Sequence, residues 1–332
     1  MADFATFPEP VLAIETSCDE TAAAVIHGTT VLSNVVASQV EMHRKWGGVV
    51  PEAAARAHVE ALLPVVIEAL EGRKVGAVAV TNRPGLVGAL SVGVSAAKAL
   101  SLAWSVPLKG VHHLEGHLLS VLADGAEVPF PHLALIVSGG HTETVLVHAP
   151  GRYELLGQTI DDAAGEAFDK GARLLGLGYP GGRAVQEAAK SGDPARYPLP
   201  RGLAKDPLNF SFSGLKTAVL RLVEKEGDRI DVPDAAASLQ AAIVDSLTKK
   251  AVSALEERGA KALTLVGGVS ANLALRESLA RECGRLGLPF VAPRMDLCTD
   301  NAAMIGIAGS VRLMLEGPDG IDLDCAPNAP LP

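Results

Sequence analysis

The chain carries one run of elements twice. Residues 11–14 read as a buried strand, Glu15-Thr16-Ser17-Cys18-Asp19-Glu20-Thr21 as a polar tip, and residues 22–26 and 30–36 as two more strands. The same plan returns in Leu133-Ala134-Leu135-Ile136-Val137-Ser138-Gly139-Gly140-His141-Thr142-Glu143-Thr144-Val145-Leu146-Val147, with residues 153–160 as its third strand. Residues 75–80 then predict a strand, 81–88 a turn, 89–104 a helix and 106–111 a strand before another helix. Residues 262–266, 267–272, 273–285 and 289–292 repeat that succession, and a further helix opens at Thr299-Asp300-Asn301. A strand meander followed by strand–helix–strand–helix, made twice, predicts a duplicated α/β fold. The expected domains are residues 1–131, with helix 300–316 packing back on them, and residues 132–299, followed by a tail at 317–332.

Composition narrows the class of protein. With 332 residues, 48% of them hydrophobic and 20% charged, the chain predicts a globular protein of about two domains. A net charge of −9 suits poorly a protein that grips nucleic acid unaided. Cys18, Cys283, Cys298 and Cys325 form no CxxC pair, which argues against a zinc ribbon or a disulfide framework. We find no signal peptide and no apolar run long enough to cross a bilayer, so the expected location is cytoplasmic.

Gly110-Val111-His112-His113-Leu114-Glu115-Gly116-His117 joins a strand to a helix. His113 and His117 stand four residues apart, which places both imidazoles on one helix face, a spacing suited to one divalent metal or to a merely polar surface. His112 falls on another face. If a pseudo-twofold relates the repeats, the equivalent helix of the second repeat brings Asp300 opposite, across the cleft. Two imidazoles and a carboxylate then form an open, catalytic type of site. Thr299 or Asp300 is also a candidate helix cap. The tip at residues 15–21 can present hydroxyls and carboxylates to a phosphate or a metal-bound ligand, or be an ordinary polar turn. The stretch His43, Arg44, Lys45, Arg56 and His58 is locally basic, either a solvated face or a polyanion contact.

Glycine turns mark the second half. Ser138-Gly139-Gly140 leaves backbone N–H groups open to a phosphate or ribose, and a tight hairpin explains it equally. Asp169, beside the loop Gly176-Leu177-Gly178-Tyr179-Pro180-Gly181-Gly182, suits ribose hydroxyls or a salt bridge to Lys170 or Arg173. Gly267-Gly268-Val269-Ser270-Ala271-Asn272 sits at a strand-to-helix turn, where α/β proteins bind ligands. The alternating Phe210-Ser211-Phe212-Ser213 suggests an ordered loop without chemistry of its own. Gly93, Ala96, Ala97 and Ala99 let the helix at 89–104 pack closely, on its own sheet or on another subunit.

Eight ordered motifs together resemble a known family. They are IETSCDETA (14–22), GGVVPE (47–52), HLEGH (113–117), SGGHT (138–142), GEAFDKGARLLGLGYPGG (165–182), FSFSGLKTA (210–218), GGVSAN (267–272) and CTDNAAMIG (298–306). The family is the universal tRNA N6-adenosine threonylcarbamoyltransferases, and the likeness runs from about residue 11 to about 315. It implies an actin/Hsp70/sugar-kinase (ASKHA) fold around a nucleotide cleft. It also implies transfer of threonylcarbamoyl from threonylcarbamoyl-AMP to the adenosine beside the anticodon of tRNAs reading codons that begin with A, with release of AMP. By position, His113, His117 and Asp300 resemble the family's metal ligands, with iron(II) favoured and zinc possible. Ile136, Val137, Ser138, Gly139, Gly140, Asp169, Gly182 and Asn272 resemble its substrate positions, and Asp19 and Glu20 its acidic residues at the first tip. The resemblance further implies a paralogous subunit of the same fold (TsaB-like), an ATPase subunit (TsaE-like) and a separate enzyme that makes the adenylate, with no membrane partner. Thr81-Asn82-Arg83-Pro84-Gly85-Leu86 departs from the family pattern, because Arg83 stands where a glycine is usual. Either the backbone there avoids glycine-only angles or the arginine adds a contact. Alternative readings are a metal-dependent glycoprotein endopeptidase, although HLEGH lacks the HExxH order, and a metabolite kinase of the same fold.

Overall fold

A computed structural model describes residues 4–203 and 206–331. Residues 1–3, 204–205 and 332, which the expected domain limits take in, lie outside the described residues. In chain order the first elements are β1 (Val11–Glu15), β2 (Glu20–His27), β3 (Thr30–Ser38), α1 (Val40–Arg44), α2 (Pro51–Leu70), β4 (Ala77–Arg83), α3 (Val87–Trp104), β5 (Leu108–His112) and α4 (His113–Leu119). There follow β6 (His132–Val137), β7 (Thr142–Ala149), β8 (Arg152–Gln158), α5 (Ala164–Leu174), α6 (Gly181–Ala189), α7 (Ser213–Glu226), α8 (Val232–Arg258), β9 (Leu263–Val266), α9 (Leu273–Leu286), β10 (Phe290–Val291) and α10 (Ala302–Glu316).

The chain forms two compact units. Unit one comprises Met1–Val128, Ala149–Tyr153 and Pro293–Pro332, and unit two Pro129–His148 and Glu154–Ala292. Each holds one five-stranded sheet, ordered β3-β2-β1-β4-β5 in unit one and β8-β7-β6-β9-β10 in unit two. In both, the first two strands pair antiparallel, and the fourth and fifth continue the sheet in parallel. The duplicated α/β architecture read from the sequence is therefore present, strand for strand.

In unit one all five residues of β1 are buried. Successive side chains leave a strand on opposite faces. Leu12 and Ile14 pack with Leu62 and Val65 of α2 and Val94 and Ala97 of α3. Ala13 faces α10, where a Cβ on Gly306 would collide with Ile26 and one on Gly309 with Ala79. Those two glycines let a helix buried from Ala302 to Leu313 lie directly on the sheet. The same alternation turns Glu15 to the α10 side, the side on which α4 begins.

Edge strand β5 is covered by the chain after α10, which protects its open backbone groups. Asp319 N–H donates to Leu108 O at 2.8 Å, and Gly110 N–H donates to the Asp319 carboxylate at 2.7 Å. Farther on, Ala326 N–H donates to Asn82 O and the Asn82 amide donates to Asp324 O, both at 2.9 Å. Residues 81–83, expected in a turn, instead extend β4. Arg83 therefore sits in ordinary strand backbone, which needs no glycine, and its Nη1 reaches Asn82 Oδ1 at 3.5 Å.

Helix α3 corrects the expectation that no segment is long and apolar enough to cross a membrane. Its 18 residues, mean hydropathy 1.4, meet that test by length and composition. In the fold one face of it is buried, through Leu90, Val94 and Ala97, while Val87 and Leu102 are exposed. Its Gly93 leaves room for Thr16 and Ala97 is buried on the same sheet, whereas Ala96 is half-buried and Ala99 exposed.

Unit two is built around α8, 27 residues long, capped by Asp231 accepting from Asp234 N–H and closed by Gly259 in the left-handed region. Leu239, Ile243 and Leu247 of this helix meet Phe168, Phe210, Phe212 and Leu265. The alternation at 210–213 thus has a cause. Both phenyl rings are buried and stacked, while the Ser211 and Ser213 hydroxyls donate to Asp161 at 2.5 and 2.7 Å.

Candidate functional site

The centre of unit one forms where β5 passes into α4. His112 caps that helix, its Nδ1 accepting Leu114 N–H at 3.2 Å while Nε2 donates to Ala329 O at 3.2 Å. It is structural, as its place on another face predicts. One helical turn apart, His113 and His117 lie edge to face, with ring centroids 4.8 Å apart. Asp300 Oδ1 lies 3.1 Å from His117 Nε2 and 3.5 Å from His113 Nε2. One potential ligand atom from each of the three lies within 4.8 Å of the others. All three residues belong to unit one, so their convergence arises within it. The cap of α10 is neither Thr299 nor Asp300 but Asn301, whose Oδ1 accepts Met304 N–H at 3.1 Å. Asp300 is thereby left for the histidines.

Charge is concentrated around this centre. Burial disfavours a charged His113, yet the carboxylates of Asp300 and Glu15 outweigh it and hold the imidazole well above its ordinary range. Despite their burial, Glu15 and Asp300 are pulled below the usual carboxylate range by His113. His117, buried and beside that cation, is pushed down. Burial and then repulsion from Asp300 raise Asp19. Burial drives Glu20 up to about 8, although the Ser38 hydroxyl donates to its Oε1 at 2.8 Å. Its Oε2 is buried and makes no hydrogen bond among the described residues.

His58, expected in a basic surface stretch, is instead fully buried and clamps the acidic tip. The Thr21 hydroxyl donates to its Nδ1 at 2.8 Å, and its Nε2 donates to Cys18 O at 3.0 Å, one contact on each side of Asp19 and Glu20. His43 is also buried, accepting Val50 N–H at 3.3 Å. Two members of the expected basic cluster are thus interior groups, and Arg44 pairs with Glu41. Glu115, between the two histidines, is buried in another direction. Both of its oxygens accept Arg312 Nε at 2.9 Å, and the Tyr153 hydroxyl donates to Oε1 at 2.7 Å. A glutamate bound in this way cannot serve as the base of a zinc peptidase, which removes the physical ground for that alternative.

In unit two the glycine turns gather at the carboxyl ends of β6 and β9. Ser138 and His141 close the β6–β7 turn, and Gly165 N–H at the start of α5 donates to Ser138 O at 3.2 Å. Asp169 Oδ1 accepts Gly181 N–H at 2.7 Å, while Lys170 pairs with Asp162 and Glu166 rather than with Asp169. Asn272 caps α9 through Leu275 N–H and gives its amide to Gln240 Oε1 at 2.9 Å. Ile136 and Val137, two of the expected substrate positions, are fully buried inside β6. The glycines divide into two kinds. A Cβ on Gly267, whose φ is +89°, would lie 2.5 Å from Val137 O, and one on Gly181 would lie 2.5 Å from Asp169 Cα. By contrast, a Cβ on Gly139, Gly140, Gly182 or Gly268 would meet no protein atom within 4 Å. Packing does not demand glycine at those four positions.

Three residues around His113 carry no individual role in the sequence reading: Glu15 and Ser17, which fall in the polar tip, and Thr81, which falls in an expected turn. Glu15 Oε2 and Ser17 Oγ each lie 3.1 Å from His113 Nδ1, and the Thr81 hydroxyl donates to Glu15 Oε2 at 2.5 Å. The available signal is an acid closing an otherwise wholly apolar strand.

Comparison with known proteins identifies the family. The family model TsaD, tRNA N6-adenosine threonylcarbamoyltransferase, matches residues 30–307. A tRNA N6-adenosine threonylcarbamoyltransferase of Anaeromyxobacter dehalogenans (strain 2CP-C) is 55% identical over 329 residues, covering 96% of this chain and 98% of its own. One from Geobacter sp. (strain M21) is 52% identical over 330 residues, covering 97% and 96%. Among solved structures, HypF from T. kodakarensis aligns with a TM-score of 0.61 at 14% identity, over 95% of this chain and 49% of that one, a likeness of fold.

Proposed function

Because this chain belongs to the tRNA N6-adenosine threonylcarbamoyltransferase family, we propose that it moves threonylcarbamoyl from threonylcarbamoyl-AMP to the N6 amine of the tRNA adenosine beside the anticodon. The acceptors are tRNAs reading codons that begin with A. The amine attacks the carbamoyl carbonyl, the bond from that carbon to the phosphate oxygen breaks, AMP leaves and the amine gives up a proton. The observation that carries this reading is the convergence of His113, His117 and Asp300 in a chain so close to its relatives.

The three side chains fit a divalent transition ion. Both Nε2 atoms face one carboxylate oxygen, and the far nitrogen of His113 is held by a carboxylate, as ligating histidines commonly are. His113, His117 and Asp300 would hold the ion, iron(II) by family and zinc by donor set. When bound, it supplies positive charge against the phosphate and the developing oxyanion. Asp19 and Glu20 lie at the tip that His58 fixes. Asp19, which burial and Asp300 raise above the usual carboxylate range, is suited to accept the proton that the amine loses, whereas Glu20, at about 8, holds its own at neutral pH. In unit two we assign the nucleotide to the turns of Ser138, Gly139, Gly140, Gly182 and Asn272. There the open glycines let backbone N–H groups approach a phosphate or ribose, and Asp169 sets the start of α6.

The charge of −9 favours assisted rather than solitary tRNA binding. Val59, Leu63 and Ile67, 62–65% exposed at four-residue spacing, form an apolar stripe on α2, and Leu102 of α3 is 65% exposed. This stripe, rather than the small residues of α3, suits docking of the paralogous subunit. A cytoplasmic location follows from the tRNA substrate. The test is reconstitution. Protein loaded with iron, together with the paralogous and ATPase subunits, tRNA and threonylcarbamoyl-AMP, should yield modified adenosine and AMP, and the protein alone far less. His117→Ala should remove that yield while the melting curve stays cooperative. Glycopeptide cleavage without modified adenosine would overturn the reading.

A further inference from the structure

One fully buried carboxylate in unit one gathers three polar groups. Glu15 Oε1 accepts Ser17 N–H at 2.5 Å, and Oε2 accepts the Thr81 hydroxyl at 2.5 Å and faces His113 Nδ1 at 3.1 Å. A buried acid is costly unless it is paired and hydrogen-bonded. Neither the Ser17 N–H nor the Thr81 hydroxyl requires a charge, since any neutral acceptor would satisfy them. An ionised carboxylate, by contrast, has no proton to give. Each group that faces it must supply one, so the proton of His113 is fixed on Nδ1. With Nδ1 engaged in this way, Nε2 is the nitrogen aimed at Asp300, 3.5 Å away, and the one left to give up its proton to an incoming ion. His117 has no equivalent support, because its Nδ1 is buried without a hydrogen-bond partner among the described residues.

We propose that Glu15, held in place by Thr81 and Ser17, is the positioning residue that sets the tautomer and ring plane of His113 for ion binding. This inference rests on the reading of His113, His117 and Asp300 as an ion site, and it adds a function for two motifs. The first residue of ETSCDET serves as the orienter and Thr81 of the TNRPGL segment as its brace. His113 is the oriented ligand of the pair. His117 meets Asp300 through Nε2 at 3.1 Å and has no such brace on its Nδ1 among the described residues.

The test titrates metal-free protein with Co²⁺, reading its visible absorption band and measuring affinity by competition with a chelator. Glu15→Gln keeps the shape and removes the charge, and should weaken Co²⁺ binding 10- to 100-fold, the usual loss for an outer residue of this kind. Thr81→Val should give a smaller loss in the same direction. In Zn²⁺-loaded, ¹⁵N-labelled protein, the His113 Nδ1 proton should resonate far downfield and exchange slowly. In Glu15→Gln it should move upfield and exchange fast, a change that mere destabilisation would not cause. Wild-type Co²⁺ affinity, absorption band and Nδ1 proton signal in folded Glu15→Gln would overturn the proposal. If melting of the metal-free protein shows that Glu15→Gln does not fold, Thr81→Val decides, and unchanged affinity there overturns it. The ion reading itself is tested by His113→Ala. If that variant binds Co²⁺ like the wild type, the ion site is wrong, an outcome distinct from failure of Glu15 alone.

Discussion

Units one and two share a strand order and differ in what they place at the ends of their strands. In unit one, the residues after β1, at the start of α4 and before α10 bring side chains together: Glu15, Ser17, Asp19, Glu20, His113, His117 and Asp300. In unit two, the turns after β6 and β9 and the start of α6 present backbone, with Gly139, Gly140, Gly182 and Gly268 free of packing demands. On the reading proposed above, one topology supports two kinds of recognition. A metal ion needs ligand atoms at the tips of side chains, whereas a phosphate or ribose is well served by bare N–H groups. The duplicated scaffolds are alike, and their loops differ in whether they offer side chains or bare backbone.

The largest effect should come from unit one. Asp300→Ala should lower threonylcarbamoyl transfer by about 1,000-fold or more, several kcal/mol of lost charge stabilisation. Because Asn301 and not Asp300 caps α10, that helix should keep its start and melting should stay cooperative, although losing the pairing with His113 should lower the melting temperature. Full activity in this variant would end the assignment of chemistry to unit one.

A paired substitution sharpens the account of unit two. Gly267→Ala should destabilise the protein by roughly 1–3 kcal/mol, through a strained backbone and a clash with Val137 O. Gly140→Ala should leave the melting temperature unchanged and weaken AMP binding by about tenfold, the worth of one backbone hydrogen bond. Equal melting losses in the two, with AMP binding intact in Gly140→Ala, would make the Ser138–Gly140 turn a plain hairpin.

The smallest effect tests the acidic tip. Glu20 has a folded value of about 8 against an ordinary 4.5, so folding takes up a proton between these values. Its contribution to stability therefore declines as pH rises from about 4.5 to about 8 and is lowest above that. Glu20→Gln cannot titrate. In the presence of a chelator, the stability of the variant relative to the wild type should rise by a kcal/mol or two between about pH 5 and about pH 9. A flat difference would mean that Glu20 is an ordinary solvated acid.

Much of this protein was legible in its sequence because it depends on local rules. The period of the strands, the polar tips and the echo between residues 11–36 and 133–160 determined a duplicated α/β fold. The spacing of His113 and His117 determined that two imidazoles share a face, since a helix repeats every 3.6 residues. Helix α8 was not readable in this way. It is buried on so many sides that no single apolar stripe marks its place. Nor was the interior fate of His43 and His58, because a histidine beside arginine and lysine looks basic until its hydrogen-bond partners are known. Only the tertiary structure decided that Asp300 meets the histidines within unit one, that Asn301 frees it by taking over the cap, and that Glu15 turns inward to His113. Those facts depend on which residues distant in the chain come within about 3 Å of one another, and no local period encodes that distance.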